Sequence, residues 1–109
     1  MAFVVSAELN RRDLACGETL EVKIAAEFDG AENRLISVRI PEAAQCFFRR
    51  GEEEVIKVSK PAKHVEFEAT FRLTIHCRRK GATAFILFVQ ASEAGNPTHE
   101  VERTITVTC

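Results

Sequence analysis

From residue 65 to residue 75, apolar and polar side chains alternate without a break. Val65, Phe67, Ala69, Phe71, Leu73 and Ile75 fall on one side, and Glu66, Glu68, Thr70, Arg72 and Thr74 on the other. Period two is the repeat of a β-strand, whose successive side chains point to opposite faces. A helix with this pattern would spread its apolar residues around its whole circumference. The run therefore predicts a long strand with one face in a core and the other in water.

The same repeat recurs along the chain. Residues 19–28 set Leu20, Val22, Ile24, Ala26 and Phe28 against Glu21, Lys23 and Glu27, and residues 3–9 place Phe3, Val5, Ala7 and Leu9 on one side. Further strands are predicted at 35–40, 55–59, 82–91 and 101–108. Asp29-Gly30, Pro41, Lys60-Pro61, Arg78-Arg79-Lys80-Gly81 and Gly95-Asn96-Pro97 punctuate them, as turn formers or as residues that cannot donate to a ladder. Residues 10–17 read as a polar connection. Residues 42–54 are irregular: Ala43-Ala44-Gln45 suits one helical turn, and Phe47-Phe48 needs a place to be buried. No amphipathic helix of useful length occurs.

Seven strands at this spacing predict an all-β fold, a seven-stranded antiparallel immunoglobulin-like sandwich. A small closed barrel is the competing closure of the same strands. A length of 109 residues allows one domain over 1–109 and is too short for two. The predicted core is Val22, Ile24, Val38, Ile40, Phe67, Phe71, Leu73, Leu87, Val89, Ile105 and Val107. A net charge of −1 gives no electrostatic ground for nucleic-acid or membrane-surface binding. No stretch reaches the ~18 apolar residues of a membrane span, and Met1 to Val5 lack the basic region and apolar length of a signal peptide. With strands expected almost end to end, the chain reads as a compact unit or as a domain of something longer.

Gly17-Glu18-Thr19-Leu20-Glu21-Val22 opens one strand and Gly81-Ala82-Thr83-Ala84-Phe85 another, and Val101-Glu102-Arg103-Thr104-Ile105-Thr106-Val107 closes the domain. In these segments the chain resembles the immunoglobulin-like repeats of bacterial surface proteins and macroglobulin-type domains. The resemblance implies a spacer or binding module and transfers no catalytic residue. Arrestin-like sandwiches share the 19–28 pattern, which leaves an intracellular scaffold as an alternative. The paired cysteines and buried Trp of antibody domains are absent, as is the macroglobulin thioester motif.

Cys16, Cys46, Cys77 and Cys109 lie 30, 31 and 32 residues apart. Two strands fit in each gap, so the chain returns to the same end of the sandwich between thiols, and all four are expected at one pole. Free thiols are expected there, because no pair sits at a known disulfide-framework spacing. Disulfides, a four-cysteine zinc site and a reactive thiol at Cys77 beside Arg78-Arg79-Lys80 are the alternatives. Zinc ligands usually come in close pairs, and none exists here. Arg11-Arg12, Arg49-Arg50 and Arg78-Arg79-Lys80 fall in connections of the same pole, but so do Asp13, Glu18, Glu42, Glu52, Glu53 and Glu54, which predicts a mixed solvated rim. His64 and His99 are expected in loops of the opposite pole, near Asp29 and Glu32. His76 and Cys77, as strand neighbours, point to opposite faces and are poorly placed to act as a dyad. No catalytic constellation, metal site or cofactor is expected.

Residues 84–89 read Ala-Phe-Ile-Leu-Phe-Val with no polar break. If Phe85, Leu87 and Val89 fill the core, Ile86 and Phe88 point outward. A face of this kind is either covered by a loop, with Phe47-Phe48 the first candidate, or meets a protein partner or a second copy of the chain. Arg39, Thr104 and Thr106 are its expected polar surround. The function expected is that of a non-catalytic interaction or spacer module, with a cysteine-pole metal or thiol module as the other alternative.

Overall fold

In the computed structural model, which describes residues 2–29, 34–58, 64–93 and 96–109, the chain folds as two packed β-sheets. The expected turn residues Gly30 and Gly95, the strand end at Ser59, Lys60-Pro61 and Glu32 lie outside the described residues.

The long alternating run forms β7 (His64–Cys77), and the second clearest forms β3 (Thr19–Asp29). They pair antiparallel from Asp29 opposite His64 to Thr19 opposite Thr74. β1 (Ala2–Leu9) flanks β3, and β5 (Cys46–Phe48) flanks the end of β7. The second sheet has the order β2 (Asp13–Ala15), β9 (Asn96–Thr108), β8 (Ala82–Glu93), β4 (Arg34–Arg39) and β6 (Val55–Val58). All its pairings are antiparallel except β2 with β9. A single 3-10 turn at Glu42–Ala44 stands where one helical turn was expected. The fold is an immunoglobulin-like sandwich.

The two strands that the sequence did not announce are β2 and β5. Three residues are too few to display a period, and only Leu14, buried between exposed Asp13 and Ala15, betrays the first. Another departure lies in β1. The alternation places Val5 on the same side as Phe3, Ala7 and Leu9, but the register shifts between Val4 and Ser6. This bulge leaves Val5 56% exposed and turns Val4 into the core.

The predicted core is buried except at two positions, Ile40 and Phe67, which are half-buried. Ile40 lies just past the end of β4, and Phe67 sits on a part of β7 that β5 does not reach. Leu20, Phe28, Ile36 and Ile75 join the interior as fully enclosed side chains. Each contributes about 1.5–3 kcal/mol through withdrawal from water. One flank of the sandwich is tied by side chains: Arg103 Nε donates to the Ala7 carbonyl at 3.1 Å, and Val4 N–H donates to His99 Nδ1 at 3.0 Å. His99 therefore belongs to β9, not to a loop, and the His64 backbone opens β7 opposite Asp29.

Candidate interaction surface

Alternation on β8 buries Phe85, Leu87, Val89 and Ala91, so Ala84, Ile86, Phe88 and Gln90 line the outer face of the five-stranded sheet. Register then decides their neighbours, since directly opposed residues share a face. Ile86 is opposite Thr104, and Phe88 lies between Glu102 on β9 and Arg39 on β4. Thr106 is opposite Ala84 on one side and Asp13 on the other. The fold thus brings Arg39, Ile86, Phe88, Thr104 and Thr106 to one surface.

Their exposures differ. Ile86 is 39% exposed, whereas Phe88 is half-buried because the Arg39 guanidinium lies 4.8 Å from its ring centre. Arg39 is held there by Glu100, at 3.2 Å, and Glu100 also accepts from the Gln90 amide. A cation over an aromatic ring contributes about 0.5–1 kcal/mol at an exposed site. Arg39 is therefore more than a polar surround, since it roofs one of the two apolar groups and leaves the other open. Val55, opposite Ser37 on the outer face, is 49% exposed and extends the apolar surface two strands away. Sequence reasoning missed it because Val55 opens a short strand whose face could not be fixed without its register.

The expected cover does not lie on this face. Phe48 is buried in the core, and Phe47 stacks on His76 with ring centres 5.9 Å apart, on the side of the other sheet.

The four cysteines do gather at one pole, as their spacing predicts. They are bridged, however: Cys16 to Cys109 and Cys46 to Cys77. The expectation of free thiols fails because sheet pairing, not sequence spacing, sets the distances. Cys46 and Cys77 are directly opposed in the β5–β7 ladder, with Cα atoms 4.0 Å apart, and those of Cys16 and Cys109 are 4.9 Å apart. The two bridges adjoin, since Cys77 N–H lies 3.4 Å from Cys16 Sγ. A reactive thiol at Cys77 and a Cys77–His76 dyad are thereby ruled out in this form.

The basic clusters of the pole are partly neutralised. Arg11 pairs with Glu18, whose other oxygen caps Ala15 N–H at 2.9 Å, and Glu52 accepts from Thr74 N–H. Arg78 lies over the Phe47 ring at 5.2 Å. Gly81, at φ 96°, lets the β7–β8 turn bond Cys109 in both directions, at 2.9 and 3.0 Å.

No protein-family model matches the chain, and no curated protein matches it in sequence. Among solved structures, the chain is similar to the ASH/PapD-like domain of human CEP192 (PapD-like domain 7). The identity is 15% and the TM-score 0.40, over 96% of this chain and 85% of that one. No residue role is carried over from that likeness.

Proposed function

We propose that the chain is a non-catalytic interaction module of a larger protein or assembly, and that it meets a protein partner through the outer face of β8. The observation that carries this reading is Ile86, 39% exposed in the middle of a central strand with no covering segment among the described residues. Leaving such a side chain wet forgoes a good part of the ~1.5–3 kcal/mol that burial supplies. The outer face of β7, with Glu66, Glu68, Thr70 and Arg72, is polar, so a long strand of this domain can present a polar exterior where β8 does not. Arg39, Glu100 and Glu102 supply both signs of charge beside the apolar patch, the composition of an interface rim.

The test replaces Ile86 and Phe88 together with Thr, a good strand former, and compares the proteins retained by this bait with those retained by wild type and by K23S on the other sheet. The reading expects a set of proteins held by wild type and K23S and lost with I86T/F88T, while the circular dichroism spectrum is unchanged. Equal retention by all three, or retention lost only with K23S, overturns it.

A further inference from the structure

The four-stranded sheet has an unfinished edge. β5 pairs with β7 only from Ile75 to Cys77, and Arg49 N–H adds a bond to the Thr74 carbonyl at 2.9 Å. Thr74 N–H is taken by the Glu52 carboxylate. At Gly51, with φ 90°, the chain turns away, and its next strand, β6, belongs to the other sheet. β7 runs back to His64, so most of its length has no neighbouring strand on that side among the described residues.

Register identifies the open groups. Glu21 bonds Asn10 on the β1 side, so Leu20 and Val22 bond towards β7, to their partners Leu73 and Phe71. Ile75, whose carbonyl accepts from Gly17 N–H, has the same phase. The backbone N–H and C=O of Glu66, Glu68, Thr70 and Arg72 consequently point away from β3. No hydrogen bond among the described residues satisfies them. They form a ladder of open donors and acceptors about 20 Å long. An edge of this length is a template for another strand.

We propose that this edge pairs with the same edge of a second copy of the chain, antiparallel about a two-fold axis at Ala69. That register sets Glu66 opposite Arg72 and Glu68 opposite Thr70, each twice. All four have the outward phase, so the open groups of both copies are used. On the outer face, Glu66, which stands opposite Glu27 in its own sheet, gains a cation. On the inner face, half-buried Phe67 meets Phe71, and the small Ala69 meets itself at the axis. Moving the axis to Glu68 sets that carboxylate against its copy. Moving it to Thr70 sets Glu66 against Thr74, whose groups are already bonded. An axis between residues pairs outward with inward phase and loses the ladder.

Sedimentation across a concentration series tests the dimer. Wild type is expected to show a monomer–dimer equilibrium. E66R or R72E alone places like charges opposite each other twice and weakens the dimer about tenfold. An equimolar mixture restores wild-type affinity, because all four charged positions then face an opposite charge. T70P removes an outward N–H without touching the β3 ladder and abolishes the dimer. Arg72 also bridges Glu21 at 3.1 Å, so E66R and T70P stand as independent variants if R72E folds poorly. A chain monomeric up to its solubility limit overturns the proposal. So does a dimer insensitive to E66R and T70P, a mixture no tighter than its components, or a dimer lost instead with I86T/F88T.

Discussion

Removing the two disulfides should cost this domain most of its stability, in proportion to the loops they close. In the chain-entropy account, a cross-link removes freedom from the unfolded chain as 2.1 + 1.5R ln n, in cal/mol/K, for a loop of n residues. Cys16–Cys109 spans 93 residues, which gives about 4.6 kcal/mol at 25 °C. Cys46–Cys77 spans 31, which gives about 3.7 kcal/mol. The smaller loop lies inside the larger, so the contributions overlap slightly and together come to about 8 kcal/mol. Domains of this kind have about 5–15 kcal/mol in total. Urea unfolding of wild type, C16A/C109A and C46A/C77A should therefore show two folded but weakened variants, with C16A/C109A the weaker, and the four-fold variant at or beyond the margin of folding. Alkylation of the denatured wild type should modify no cysteine without reductant and all four with it. Four reactive thiols without reductant would refute the bridges, and a loss below about 1 kcal/mol for either pair would refute the loop argument.

Phe71, 2% exposed in the middle of β7, should cost about 3–5 kcal/mol when replaced by Ala, read as a lower urea midpoint at unchanged slope. Arg34 is 3% exposed, its Nε and Nη1 have no hydrogen-bond partner among the described residues, and its guanidinium lies 6.0 Å from the Phe28 ring centre. R34M should be neutral or should stabilise by about 1–3 kcal/mol in the same assay, because it removes an incompletely satisfied buried cation and keeps the packing volume. I86T/F88T should lower stability by only about 1 kcal/mol, mainly through the lost Arg39–Phe88 contact, and so shift the melting midpoint by a few degrees.

What the sequence made legible follows from the reach of its signals. Period two over β3 and β7 fixed both faces of those strands, and two strands per gap brought the cysteines to one pole. Outward placement of Ile86 and Phe88 followed from the same alternation. β2 and β5 escaped because three residues hold no period, and the bulge at Val5 escaped because one extra residue inverts a phase without any change of composition. Pairing of the cysteines depended on which strands are neighbours, and β5, the strand that sets Cys46 against Cys77, was one of the two not foreseen. The same strand explains the open edge of β7: it stops after Phe48, and nothing in the alternation of residues 65–75 records where a neighbour ends. The Arg39 roof over Phe88 needed cross-strand register, which a single sequence does not carry.

Site-specific photo-crosslinking tests the central claim, that the outer face of β8 meets a partner, most directly. A photoreactive side chain is placed in turn at Ile86, at Thr104 opposite it, and at Lys23 on the outer face of the other sheet. The account predicts the same protein adduct from Ile86 and Thr104, and none from Lys23. An adduct from Lys23 alone, or none from Ile86 and Thr104, would contradict it.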